Sequence, residues 1–169
     1  MSVVDYDPRW PEVYASELST LHTALDDLMV RGHHIGSTAV RGLAAKPVID
    51  ILLEVRDLGR LDAMSDAMQA IGYRPRGELG IPGRRYFSKG GDARTHHVHA
   101  FVRGDPRVGE HLAFRDYLRA HTRIASAYAR VKREAAARYR HDPDGYVKCK
   151  QEFVARTVRE AIAWAAREG

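Results

Sequence analysis

Two segments of the chain alternate apolar and polar side chains with the period of two that is typical of a β-strand. In the segment 48–55, one face is entirely apolar and consists of Ile49, Ile51, Leu53 and Val55. The opposite face carries Asp50, Leu52 and Glu54. This pattern predicts a strand that buries one face in the core and presents a carboxylate on the other.

The second alternating segment is 96–103. One face carries Val98, Ala100 and Val102, and the other carries His97, His99 and Phe101. The sequence therefore predicts two strands that each have an apolar face and a face with candidate ligands.

Apolar residues three and four positions apart predict helices over much of the remaining chain. We expect a first helix over 11–29, a short strand over 33–35, a second helix over 58–70 and a strand over 84–89. Beyond Pro106 the pattern is helical, and Asp142-Pro143 supplies the cap and the first residue of a last helix.

Together these elements predict an α+β protein. We expect a small mixed β-sheet with helices on one face, a cleft along its other face, and a C-terminal helical part. Residues 1–169 contain no repeat and no linker, and 169 residues suit a single domain.

Composition narrows the function classes. Hydrophobic residues make up 44% and charged residues 29% of the chain, as is typical of a globular protein. The sequence has no run of about 18 apolar residues and no signal-peptide pattern, so we expect a cytoplasmic protein that does not bind membranes. Its one cysteine, Cys149, leaves no partner for an internal disulfide or a thiolate zinc site.

The net charge of +5 arises in the C-terminal part of the chain. Residues 110–169 carry 13 basic and 8 acidic side chains. Such an excess fits a phosphate-bearing partner, and it equally fits ordinary solvated arginines. The basic residues are not interleaved with aromatic ones, so nucleic acid is not the favoured partner.

The most specific motif is the segment 34–51, HIGSTAVRGLAAKPVIDI. It resembles the signature of the GrpB-like family of the nucleotidyltransferase-fold superfamily, in which a Gly-Ser turn after the first sheet strand precedes an acidic strand. Other segments resemble landmarks of the same family, namely Asp7-Pro8-Arg9-Trp10, His97-Val98-His99, Phe114-Arg115-Asp116-Tyr117-Leu118, and Tyr146 with Lys150.

This resemblance implies a nucleotidyltransferase fold and a site for nucleotide phosphates. Gly36 and Ser37 match the turn whose backbone approaches the phosphates. Asp50 matches the acidic strand that holds divalent metal ions. The family of folds usually has a second carboxylate two residues later, and here that position is Leu52. The departure argues against a two-metal mechanism.

The missing ligand has a candidate source in the second strand. His97 and His99 point to one side about 7 Å apart, a separation that two imidazoles can bridge around a metal. Asp50, His97 and His99 are therefore both the candidate catalytic residues and the candidate metal ligands. The expected metal ion is Mg²⁺ or Mn²⁺. A transition metal is the alternative, because imidazole is a softer ligand than carboxylate. Either histidine is alternatively a general base or a phosphate-binding cation.

Several basic and aromatic residues complete the candidate site. The phosphate-binding candidates are Lys46, Arg84 and Arg85, of which the last two belong to an arginine-rich window that leads to the histidine strand. The candidates for substrate contact are Tyr86, Lys132 and Lys150. For each of them, a packed or solvated surface side chain is the ordinary alternative.

The leading hypothesis is a metal-dependent nucleotidyltransferase that passes a nucleoside monophosphate from a triphosphate to an unidentified acceptor. One alternative is a mononuclear metal enzyme built on the His-x-His strand. Another is a non-catalytic protein that binds a nucleotide or a coenzyme-A-like ligand. All three hypotheses imply a small-molecule partner. For the nucleotidyltransferase and for the non-catalytic protein, this partner is a nucleotide or another phosphate-bearing molecule. The sequence does not indicate an oligomeric state.

Overall fold

The computed structural model describes residues 2–168 and contains, within that range, a five-stranded mixed sheet flanked by helices. The strands are β1 (Met29–Ile35), β2 (Ile49–Val55), β3 (Tyr73–Pro75), β4 (Arg85–Lys89) and β5 (His96–Val102). The α-helices are α1 (Trp10–Leu25), α2 (Leu58–Ala63), α3 (Ser65–Ala70), α4 (Pro106–Ala120), α5 (Thr122–Arg138) and α6 (Pro143–Glu168). The α+β class and the C-terminal helical part are confirmed.

The sheet has the strand order β1-β2-β5-β4-β3. Its central strands β2 and β5 are parallel, and all other neighbours within the described residues pair antiparallel. The parallel register places Asp50 beside His97 and Leu52 beside His99. Since side chains alternate across a sheet, these four lie on one face of adjacent strands.

The main core lies on the apolar face of the sheet. Ile51 and Leu53 of β2 and Val98 and Ala100 of β5 are fully buried there. They pack against Leu21 and Leu25 of α1, Leu61 of α2 and Met68 of α3. The alternation of β2 and β5 therefore predicts the buried face of both strands, except at Val102, which ends β5 and is 37% exposed.

Helix α4 covers part of the second face, which we expected to be an open cleft wall. Leu52 and Phe101 are buried on that face, together with Ile35 of β1 and Val108 of α4. Helices thus lie on both faces of the sheet. A cavity remains at the end of this face that carries Asp50, between the sheet and helices α5 and α6.

Three predicted elements have other boundaries in the structure. The first helix stops at Leu25 because Asp26 has a φ of 50°, and β1 starts at Met29 rather than at position 33. The predicted helix over 58–70 is two short helices that meet at Met64. Strand β3 was not predicted, since three residues ending in proline show no alternation.

The described helices do not include one with the length and the apolar character that crossing a bilayer requires.

Replacement of Leu52 tests the packing of α4 on the sheet. Leu52→Ala is expected to lower the free energy of unfolding by about 3 kcal/mol, because it removes a fully buried side chain and leaves a cavity. Urea unfolding measures the change. Ile162→Ala, at a position 40% exposed on α6, is the control and should stay within about 0.5 kcal/mol of the parent. A loss below about 1 kcal/mol for Leu52→Ala would contradict this packing.

Candidate functional site

The turn after β1 brings the backbone into direct contact with a carboxylate. Gly36 has a φ of 73°, a conformation that side-chain-bearing residues rarely adopt. A Cβ at this position would lie 2.6 Å from Oδ2 of Asp50, closer than any real contact. Glycine is therefore required both for the shape of the turn and for the approach of Asp50 to it. Ser37 follows in a short 3₁₀ turn, Ser37–Ala39.

Asp50 is held between two imidazoles of the neighbouring strand. Its Oδ1 lies 3.3 Å from Nδ1 of His97 and 3.3 Å from Nε2 of His99. The side chains of Asp50 and His97 are 28% and 26% exposed, whereas that of His99 is 15% exposed. His97 is consequently the more accessible of the two imidazoles.

The contacts of Asp50 stabilise its negative charge. Burial opposes its ionisation, but the hydrogen-bond and electrostatic interactions with His99 and His97 outweigh burial. They hold the pKa of Asp50 well below its usual range. Asp50 is thus a carboxylate at neutral pH.

These three side chains, as arranged, do not form a complete metal site. Among residues 2–168, no group of three or more His, Cys, Asp and Glu side chains is placed to hold a metal ion. Both imidazoles are directed at the same carboxylate oxygen, Oδ1 of Asp50. In a metal site, the two ring nitrogens and the carboxylate oxygen would instead all point at the ion. The arrangement is that of a carboxylate hydrogen-bonded to His99, with the more exposed His97 at the same distance from the same oxygen.

A cavity of about 340 Å³ opens beside this pair. Its sheet side is formed by Ser37, Asp50 and His97, and the opposite side is formed by Lys46, Lys132, Tyr146 and Lys150. We call it the lysine cavity. The helical residues reach it because α5 and the first turns of α6 lie above the open end of the sheet face.

The three lysines are held close to one another around aromatic rings. Nζ of Lys46 lies 3.8 Å from the ring centroid of Tyr146, and Nζ of Lys150 lies 5.1 Å from the same centroid. Lys132 is only 3% exposed, and its Nζ donates a hydrogen bond of 2.7 Å to the carbonyl oxygen of Ala44. Cation-π contacts partly offset the loss of water around these ammonium groups.

The lysine cavity has more positive than negative charge. Burial lowers the pKa of Lys132 to about 7, and the ammonium of Lys150 adds to this effect. Burial also lowers the pKa of Lys46 and of Lys150, and Lys150 further lowers that of Lys46. Among the residues that line the cavity, Asp50 is the one carboxylate that faces them. A multivalent anion would relieve this imbalance.

The structure separates the two arginines from the lysine cavity. The guanidinium of Arg84 donates to the carbonyl oxygens of Glu78 and Leu79 and lies 5.0 Å from the ring centroid of Tyr86. Arg85 points to the other face of the sheet and pairs with Asp62 of α2 at 2.8 Å. The expectation that Arg85 shares the phosphate site is therefore corrected, because neighbouring residues of a strand face opposite sides.

Tyr86 does lie beside the histidines. Its ring centroid is 5.4 Å from that of His97 and 5.2 Å from that of His99. The ring forms an aromatic wall next to the Asp50 pair, on the side away from the lysines. Arg84 holds this ring in place and does not present a free guanidinium to the cavity.

His111 was missed by sequence reasoning. It lies on α4 with its ring centroid 6.0 Å from that of His99, and burial followed by the charge of His99 lowers the pKa of His111 to about 4. The available signal was the spacing of Val108, His111 and Leu112, which places the histidine on the buried side of the helix. Glu54, the other carboxylate on this face of β2, accepts a hydrogen bond of 2.7 Å from His33.

Comparison with known proteins places the chain in a family. The model of the family described as "GrpB protein" matches residues 1–160. The protein named UPF0157 protein YqkA of Bacillus subtilis is 42% identical over 97% of this chain, and the chain spans 48% of its length.

Solved structures show the same relationship. The crystal structure of the conserved protein GrpB from Enterococcus faecalis superimposes with a TM-score of 0.93 at 37% identity, covering 96% of this chain and 98% of that one. Cid1, solved in complex with its short product ApU, matches with a TM-score of 0.55 at 14% identity over 80% of this chain and 43% of its own. The fold is thus that of the nucleotidyltransferases, and the chain belongs to the GrpB family.

Proposed function

We propose that the chain binds a nucleoside triphosphate, with the phosphates between Lys46, Lys132 and Lys150, and transfers the nucleoside monophosphate to an acceptor hydroxyl. The observation that carries this proposal is the lysine cavity itself. It combines one buried and two half-buried ammonium groups with Asp50 and His97, which lie 3.3 Å apart on its sheet side. The negative charge of a triphosphate would balance the excess positive charge of this cavity.

The fold supports the same class of reaction. Cid1, which shares the fold, has been solved with a UTP analogue and is named a poly(U) polymerase. In this chain Ser37 of the Gly36-Ser37 turn and Asp50 line the same cavity as the lysines. A turn with small residues lets phosphate oxygens approach backbone amides.

The Asp50-His97 pair can accept the proton of the acceptor. Nδ1 of His97 lies 3.3 Å from Oδ1 of Asp50, so the carboxylate favours the tautomer of neutral His97 that carries its proton on Nδ1, and Nε2 can then take a proton. The acceptor oxygen then attacks the α-phosphorus, the bond from that phosphorus to the pyrophosphate oxygen breaks, and the hydroxyl proton moves to Nε2. The lysine ammonium groups stabilise the negative charge that develops on the departing pyrophosphate.

A divalent metal ion stays a prediction of the sequence, and the steps above do not depend on it. Asp50, His97 and His99 do not by themselves supply a complete ligand set in this arrangement. Metal dependence is measured directly by repeating each assay below with Mg²⁺, with Mn²⁺ and with a chelator.

A second candidate function is nucleotide binding without turnover. The observation that favours it is Leu52, which occupies the position of the usual second carboxylate and is buried beneath α4. A protein of this kind binds the same ligand in the same cavity and releases no pyrophosphate. A coenzyme-A-like ligand belongs to this candidate, because it also carries a pyrophosphate.

Replacement of one cavity lysine tests the binding site. Lys150→Ala is expected to weaken triphosphate binding by about tenfold to a hundredfold, because it removes one charge-assisted contact. Isothermal titration calorimetry with ATP, GTP, CTP and UTP measures the change. Lys148→Ala, two residues away on the exposed side of α6, is the matched control and should bind like the parent. Equal binding by both variants would rule out the lysine cavity as the phosphate site.

Replacement of the carboxylate separates binding from transfer. Asp50→Asn is expected to slow pyrophosphate release by at least about a hundredfold, because His97 loses the charge that orients it. Triphosphate affinity should not fall, since the variant removes a negative charge from beside the phosphates. Pyrophosphate release is assayed with each triphosphate, and the small-molecule fraction of a cell extract supplies the acceptor. Pyrophosphate release at the parental rate would exclude Asp50 from catalysis.

The pKa of Lys132 makes anion binding depend on pH. Its pKa is lowered to about 7, so Lys132 loses its charge as the pH rises through this value, and triphosphate affinity should fall between pH 6 and pH 8.5. Calorimetry at both pH values measures the fall. Lys132→Gln, titrated in parallel, accounts for the ionisation of the nucleotide's own phosphate and should lack the additional dependence. Identical pH profiles for the two proteins would contradict this role of Lys132.

A further inference from the structure

A second cavity of about 510 Å³ adjoins the lysine cavity. Its walls include Arg133 of α5, Arg140 of the turn that connects α5 to α6, and Tyr139. Ser2 and Val3 close another side, where the backbone of Val4 pairs with that of Ala45. We call this space the arginine cavity.

The two cavities share part of their lining. Lys46, Pro143 and Tyr146 belong to both. The ammonium of Lys46 lies over the ring of Tyr146 at this boundary, 3.8 Å from the ring centroid. A molecule in the arginine cavity is therefore a direct neighbour of the phosphates proposed for the lysine cavity.

The charge of the arginine cavity is positive. Three cationic side chains line it, Lys46, Arg133 and Arg140, and its lining includes no carboxylate among the described residues. Arg133 is partly neutralised, because it donates to Asp5 at 2.6 Å. Arg140 makes no ion pair within residues 2–168, so its guanidinium is available to a ligand.

The volume of the arginine cavity, about 510 Å³, lies in the range of small-molecule binding sites. Ala136 and Ala137 of α5 present only methyl groups to it, which leaves its volume free. A guanidinium fork binds phosphate oxygens in pairs, and Tyr139 adds an aromatic wall. A phosphate monoester, with a charge of about −1.5 to −2 at neutral pH, matches the unpaired charges of Lys46 and Arg140.

We propose that the arginine cavity binds the acceptor, and that this acceptor is a small molecule with a phosphate monoester group held by Arg140. The inference rests on the proposed function, because an acceptor is needed only if transfer takes place. Arg140 acts as a binding residue, and Lys46 contacts the phosphates on both sides of the boundary. The acceptor hydroxyl then belongs to the part of the molecule that reaches past Lys46 toward His97.

The test is whether phosphate binds while the lysine cavity is full. The protein is saturated with AMPCPP, an ATP analogue that resists α-β cleavage, and inorganic phosphate is titrated with detection by ³¹P NMR. Phosphate is expected to bind the saturated protein, and Arg140→Ala should weaken this binding by about tenfold. Arg140→Lys should retain part of it, because the charge remains but the paired hydrogen bonds of the guanidinium are lost. Arg123→Ala, on the far end of α5 and outside both cavities, is the control and should have no effect.

The outcomes distinguish this inference from the proposed function. Phosphate binding that disappears once AMPCPP is bound, or that is unchanged in Arg140→Ala, overturns the second site. If AMPCPP does not bind the parent, the proposed function fails, and the assignment of the arginine cavity to an acceptor fails with it. In that case inorganic phosphate is titrated into the free protein. If Lys150→Ala and Arg140→Ala remove different fractions of the bound phosphate, the two cavities bind phosphate as separate sites.

Discussion

The close approach of the Asp50 carboxylate to the backbone of Gly36 is the constraint on which the candidate site depends. A side chain at position 36 would occupy the space of Oδ2. With that space open, Asp50 lies against the Gly36-Ser37 turn, accepts a hydrogen bond from His99 and contacts His97 of the adjacent parallel strand. The turn, the carboxylate and the imidazoles are thereby fixed relative to one another before any ligand arrives.

The second feature of the site is an excess of positive charge that the protein does not neutralise by itself. Burial of three ammonium groups is unfavourable, and it lowers the pKa of each of them. Such an arrangement contributes little to folding stability, and it favours the binding of an anion that restores the missing charge. The proposed phosphate site follows from this imbalance more directly than from the likeness of fold.

The site also differs from a pair of carboxylates on one strand. Leu52 lies where a second carboxylate would be expected, and α4 covers that position through Val108. A charged group at position 52 would be buried against Ile35, Phe101 and Val108, at a cost in stability. Because α4 packs on position 52, β2 carries no second carboxylate at that point. The histidines of the neighbouring strand β5 supply the second polar group instead.

The sequence by itself determined the α+β class, the buried faces of β2 and β5, and the common face of Asp50, His97 and His99, because alternation in a strand is a local property. It also singled out the Gly-Ser turn. Only the tertiary structure decided that Arg85 faces Asp62, that α4 closes part of the second face and that His111 joins the histidines. These outcomes depend on how helices distant in the chain pack on the sheet, and no local pattern of residues encodes that packing.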